Sequence, residues 1–68
     1  MTYFQLKTFN WTGEEQFVEV YDNKGEACHH FGRAMAAHEE RGYRSVELYY
    51  FDDDHVQTIA KFNCAGLD

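Results

Sequence analysis

The sequence predicts an α+β fold of order ββαββ, with one helix packed on a four-stranded, mostly antiparallel sheet in an α/β-roll-like arrangement. Three observations carry this prediction. Two aromatic-rich stretches alternate in polarity and are each broken by a polar turn. One run of apolar residues at helical spacing lies between them. A chain of 68 residues has room for one small domain, residues 1–68, around one core. Such a domain buries only about 60% of the surface its unfolded chain exposes, so its folding free energy is about 3 to 5 kcal/mol, and both a monomer and a homodimer stay open.

Each element has its own signal. Residues 3–11 are aromatic and partly alternating, Thr12-Gly13-Glu14-Glu15 follows as a turn, and Gln16-Phe17-Val18-Glu19-Val20-Tyr21 returns as the second strand of a hairpin. Asn23, with Glu26 three residues on, is a capping-box-like helix start, and Ala27, Cys28, Phe31, Ala34, Met35 and His38 follow on one helical stripe. The helix ends at Arg41-Gly42, where glycine supplies the left-handed residue that closes a helix and arginine suits the negative end of the dipole. In residues 43–51, Val46, Leu48 and Tyr50 alternate with Glu47, Tyr49 and Phe51. Asp52-Asp53-Asp54-His55 then forms a polar turn, and residues 56–63 complete a second hairpin. The pattern does not dictate the order of the strands in the sheet.

A single helix covers only one face of a sheet. If Val18, Val20, Val46, Leu48 and Tyr50 turn to the helix beside Phe4 and Leu6, then Tyr3, Phe9, Trp11, Phe17, Tyr21, Tyr49 and Phe51 fall on the far face, among Lys7, Glu19, Glu47 and Lys61. Two readings follow. Curling of the sheet or a second copy buries these rings, or the face holds a partner protein, with Trp11, Tyr21, Tyr49 and Phe51 as its contact residues.

Twelve Asp and Glu against six Lys and Arg give a net charge of −6, which repels nucleic acid and anionic lipid and favours a basic partner. The acids sit mainly at turns and helix ends. The up-down order of the first hairpin and the returning helix groups Glu14 and Glu15 with Glu39 and Glu40 at one end, and Asp22 and Glu26 with Asp52, Asp53 and Asp54 at the other. A helix of about 16 residues separates the groups by about 24 Å, comparable to phosphates several base pairs apart. The acids are therefore either a solubilising coat or a nucleic-acid mimic.

Metal, cofactor and catalytic chemistry find little support in the spacing. Cys28-His29-His30, His38, His55 and Cys64 form no C-x-x-C or H-x-x-x-H pair, and neighbouring His29 and His30 diverge by about 100° around a helix. Asp52-Asp53-Asp54 lacks the alternating ligands, the glycine and the closing Glu of a calcium loop. No nucleophile is paired with a base, and a single-layer domain rarely encloses a catalytic pocket, so a non-enzymatic protein without cofactor or metal is expected. His38 reads as a hydrogen-bonded core residue, and His29 and His30 as exposed near the helix start. Cys28 and Cys64 read as thiols. The first residues lack the charged and apolar regions of a signal peptide and no long apolar run follows, so a cytoplasmic location is expected.

Taken whole, the acidic ββαββ layout, the turn-clustered carboxylates Glu14-Glu15, Glu39-Glu40 and Asp52-Asp53-Asp54, and the lack of a catalytic motif resemble phage-encoded anti-CRISPR proteins. The chain looks most like the small acidic α/β-roll inhibitors of type I-C systems. That resemblance implies a double-stranded DNA mimic in the host bacterial cytoplasm, acting on the PAM-reading large subunit of the surveillance complex and making no direct contact with nucleic acid or membrane. Arg33, Arg41, Arg44, Lys24 and Lys61 dilute the mimicry.

Overall fold

The first hairpin joins β1 (Thr2–Asn10) to β2 (Glu15–Tyr21). Helix α1 (Lys24–Ala36) and the single turn α2 (His38–Arg41) cross back over the sheet, and β3 (Tyr43–Asp52) and β4 (His55–Asn63) form the second hairpin. This is the predicted α+β arrangement, seen in a computed structural model that describes residues 2–64. The strands lie in the order β2-β1-β3-β4 with every neighbouring pair antiparallel. Burial explains that order. Phe4, Leu6 and Thr8 of β1 and Tyr43, Val46 and Leu48 of β3 are buried, whereas β2 and β4 contribute no buried residue. The two strands with a complete apolar row therefore occupy the centre, under the helix.

Each turn is held locally. The Asn10 carboxamide oxygen accepts from the Thr12 backbone N–H (3.0 Å), the Thr12 hydroxyl (2.7 Å) and the Glu14 backbone N–H (2.9 Å), and Gly13 takes a φ of 89° that a side chain would resist. Asn23 caps α1 by accepting from the Glu26 N–H at 3.1 Å. The helix does not run unbroken to Arg41 as the spacing predicts. It closes at Ala37, whose N–H donates to the Arg33 carbonyl (3.0 Å), while His38 Nδ1 lies 2.8 Å from the Met35 carbonyl oxygen. A side chain that bonds its own backbone competes with the next helical turn. Gly42 ends α2 with a φ of 75°, as the sequence predicts.

Under the helix, Phe4, Leu6, Val46 and Leu48 meet Ala27 and Ala34, with Phe31, Tyr50 and Phe62 packed around them. Of the predicted helical stripe, Ala27 and Ala34 are buried, whereas Cys28 and Met35 are exposed. Small alanines let the helix lie close to the sheet. His38 is half-buried, as a core histidine should be, with its ring 4.9 Å from Phe62. His29 is exposed, but His30 stacks on Tyr21 at 4.9 Å and is half-buried.

One strand is turned over relative to the sequence reading. Tyr21 lies opposite Phe4 and Glu19 opposite Leu6. Tyr21, Glu19 and Phe17 therefore share the helix side, while Val18 and Val20, opposite Lys7 and Gln5, lie on the open face. Alternation alone leaves the side open, and the sequence reading that turns Val18 and Val20 to the helix is corrected by this register. β2 is an edge strand that the helix overlaps only in part, through His30 on Tyr21, so it gains little from turning valine inward, and its register follows the pairing with β1. Trp11 also leaves the sheet face: it is the first residue of the turn after β1 and is 59% exposed.

Candidate partner-binding site

Antiparallel register fixes which acids meet. Thr2 pairs with Asp52 and Phe4 with Tyr21, so the β3–β4 turn carrying Asp53 and Asp54 lies at the same end of the sheet as the β2–α1 junction carrying Asp22 and Glu26. Lys24 is the sole Lys or Arg in those two segments. Asn10 pairs with Tyr43, which brings the Glu14-Glu15 turn to the opposite end, with Glu39 and Glu40 of α2. That end also carries Arg41 and Arg44 in its sequence, and Lys7 reaches Glu15 at 4.0 Å. The molecule is therefore electrically lopsided, its negative end being the one with the three consecutive aspartates. About eight residues of strand, about 27 Å at 3.4 Å each, separate the ends, in keeping with the longest molecular dimension of 33 Å.

Asp53 occupies the left-handed region, with a φ of 34°, a conformation that Asp and Asn tolerate better than other residues with a side chain. Asp22, Glu26, Asp53 and Asp54 are exposed and Asp52 half-buried. Behind them opens a cleft of about 380 Å³ lined by Phe4, Lys24, Tyr50, Gln57 and Ile59. It exists because a slender helix centred on β1 and β3 leaves the inner side of β4 uncovered.

The open face carries part of the predicted aromatic set. Tyr49 and Phe51 lie on it, whereas Tyr21 faces the helix and Trp11 projects from the turn. Tyr3 stacks on Phe51 with ring centroids 4.9 Å apart and planes 6° from parallel. Lys7 Nζ sits 5.5 Å from the Tyr49 ring centroid, the Tyr49 hydroxyl donates to Glu47, and Lys61 approaches Glu47 at 4.0 Å. That hydrogen bond to a carboxylate, followed by desolvation and the negative charge itself, pushes the Tyr49 phenol up to about 12. Val20 and Val56 remain 59% and 62% exposed at the two margins. The central cationic and anionic row makes this face close to neutral, so the excess acid belongs to the ends of the molecule.

Tyr21 repeats the arrangement on the other face, donating to Glu19 two residues back; burial, that bond and nearby carboxylate charge raise its phenol well above the usual tyrosine range. Residues i and i+2 of a strand share a face, so the two Glu-x-Tyr triplets were a visible but unused signal. The sequence reading also missed a second groove, about 220 Å³, between β2 and the helices, where His30, Arg33 and Arg41 converge on Phe17, Glu19 and Tyr21. No local motif announces it, because its basic side chains come from two different helices, His30 and Arg33 from α1 and Arg41 from α2.

Among the described residues, no three His, Cys, Asp or Glu side chains cluster to hold a metal ion, and no helix is long and apolar enough to cross a membrane. Cys28 is exposed on α1, and Cys64 is half-buried beyond β4, its Sγ 3.8 Å from the Tyr43 carbonyl oxygen. Comparison with protein-family models, with curated proteins and with solved structures finds no match.

Proposed function

We propose that this chain is a non-enzymatic inhibitor that sets its acidic end against a basic, nucleic-acid-binding surface of another protein and so blocks DNA recognition. The supporting observation is that Asp52, Asp53 and Asp54 lie at the same end of the sheet as Asp22 and Glu26, across β1, where Lys24 is the only Lys or Arg of those two segments. Carboxylates so grouped compete for the Lys and Arg that otherwise neutralise phosphates, and their field steers the encounter. The adjoining cleft between Phe4, Tyr50 and Ile59 gives the aliphatic stem of a partner's Lys or Arg an apolar seat while its cation meets the acids. Following the resemblance to type I-C anti-CRISPR proteins, the proposed target is the PAM-reading large subunit of a type I surveillance complex. Glu14, Glu15, Glu39 and Glu40 form a second, weaker acidic contact about one strand length away.

The test is binding of a PAM-containing duplex to a purified type I complex, with and without this protein, over a range of salt. Release of DNA that fades as salt rises is the expected result. DNA that stays bound at low salt and a large excess of the protein removes this target.

A second reading rests on the stacked Tyr3 and Phe51 and the exposed Val20 and Val56 of the open face: a protein-interaction or homodimerisation module. In that case binding barely responds to salt, Tyr49→Ala abolishes it, Asp→Asn changes leave it intact, and sedimentation reports a homodimer directly.

A further inference from the structure

The net charge of −6 makes the groove between β2 and the helices anomalous. His30 and Arg33 enter it from α1 and Arg41 from α2, with Phe17 and Tyr21 of β2 as its apolar wall. Its one carboxylate, Glu19, is engaged by the Tyr21 hydroxyl. Among the described residues, neither Arg33 nor Arg41 has a carboxylate within ion-pair distance. Guanidinium groups bind carboxylates through two parallel hydrogen bonds, so these two are cationic forks without a partner.

The groove also lies along a free sheet edge. β2 pairs with β1 alone and contains no proline, and its register with β1 is regular from Phe17 to Tyr21. Its outer edge therefore presents backbone donors and acceptors that an extended chain can complete. Arg33 near the end of α1 and Arg41 of α2, on either side of the break at Ala37, both reach this groove beside Phe17, Glu19 and Tyr21 of β2.

We propose that the β2 edge and the cationic groove behind it form a docking site for an extended acidic segment of a partner protein, which adds to the sheet as a fifth strand. Its backbone pairs with β2, and its helix-side carboxylates reach Arg33 and Arg41. The cleft beside the opposite edge offers a single cation, Lys24, against the two arginines of this groove. This site is independent of the acidic end and would stand if the DNA-competition reading failed.

The probe is a capped seven-residue peptide alternating glutamate with valine, titrated into the isotope-labelled protein at low salt. Amide shifts and slowed hydrogen exchange at Val18 and Val20 are expected. Arg33→Gln with Arg41→Gln is expected to weaken binding at least tenfold; both side chains are exposed, and an unchanged spectrum of the free variant verifies its fold. Four results would overturn the proposal: equal binding of a lysine–valine peptide, preferential binding of a single-stranded oligonucleotide, shifts confined to the helices without protection of β2, or no binding at millimolar peptide.

Discussion

Tyr49 sits where several small effects coincide. Its hydroxyl donates to Glu47, its ring faces the Lys7 ammonium, and Glu47 also meets Lys61. A phenol that must lose its proton beside a carboxylate titrates late, at about 12 against an ordinary value of 10.0. Between those values the folded protein holds a proton that the unfolded chain has released, so stability falls as pH rises through that window and is fully present below it. Tyr21 shifts in the same direction and adds to the loss. Thermal melts at pH 9, 10 and 11 are therefore expected to show a falling midpoint, and Tyr49→Phe with Tyr21→Phe should flatten the fall. An unaltered slope in the double variant would assign the alkaline loss to other groups. Asn10 makes a prediction of similar scale, since one carboxamide oxygen serves three donors of the first turn. Asn10→Ala should destabilise the domain by about 1 to 2 kcal/mol in urea denaturation, whereas Asn10→Asp, which keeps an acceptor oxygen, should lose less.

Among the elements, β3 and the edge strand β2 differ most in how far their alternation predicts their environment. Leu48 and Val46 face the helix and are wholly buried, as their alternation with Glu47 and Tyr49 requires. Val18 and Val20 alternate just as cleanly, yet lie on the open face. Periodicity reports that residues share a side, not which side, and only the pairing of Tyr21 with Phe4 settles the choice. A paired set of variants makes the difference measurable. Leu48→Ala is expected to cost about 2 to 5 kcal/mol, enough to unfold most of a domain with a total of about 3 to 5 kcal/mol, whereas Val20→Thr is expected to stay within about 0.5 kcal/mol. Comparable losses from both would mean that the open face is covered in solution. The caps Asn23 and Gly42 and both turns were legible in the sequence because their causes are local. The strand order, the break at Ala37 and the convergence of Arg33 with Arg41 were not, because they depend on which surfaces remain once the sheet has assembled. The acidic ends stand between these cases: their residues are plain in the sequence, and their grouping required only the up-down chain path.

At the scale of the whole molecule, charge placement sets function and stability against each other. Asp52, Asp53 and Asp54 are consecutive, and Asp22 and Glu26 share their end of the sheet, so the cluster repels itself in the folded state, and solvent ions within about 8 Å at physiological salt relieve it only in part. A binding surface held at such a cost is common at functional sites. Changing all three aspartates to asparagine removes the repulsion and keeps the backbone, since Asn also tolerates the left-handed conformation of residue 53. Under the DNA-competition reading, the triple Asp→Asn variant should remain folded at low salt while releasing at least tenfold less DNA from the surveillance complex. The same variant should show a flatter dependence of Tm on salt, because there is less repulsion for added ions to screen. Retained inhibition with a raised Tm would make the aspartates ordinary solubilising charge and transfer the search to the open aromatic face; a lowered Tm would mean that Asp52 or Asp53 accepts structural hydrogen bonds in the turn, and single substitutions would identify which.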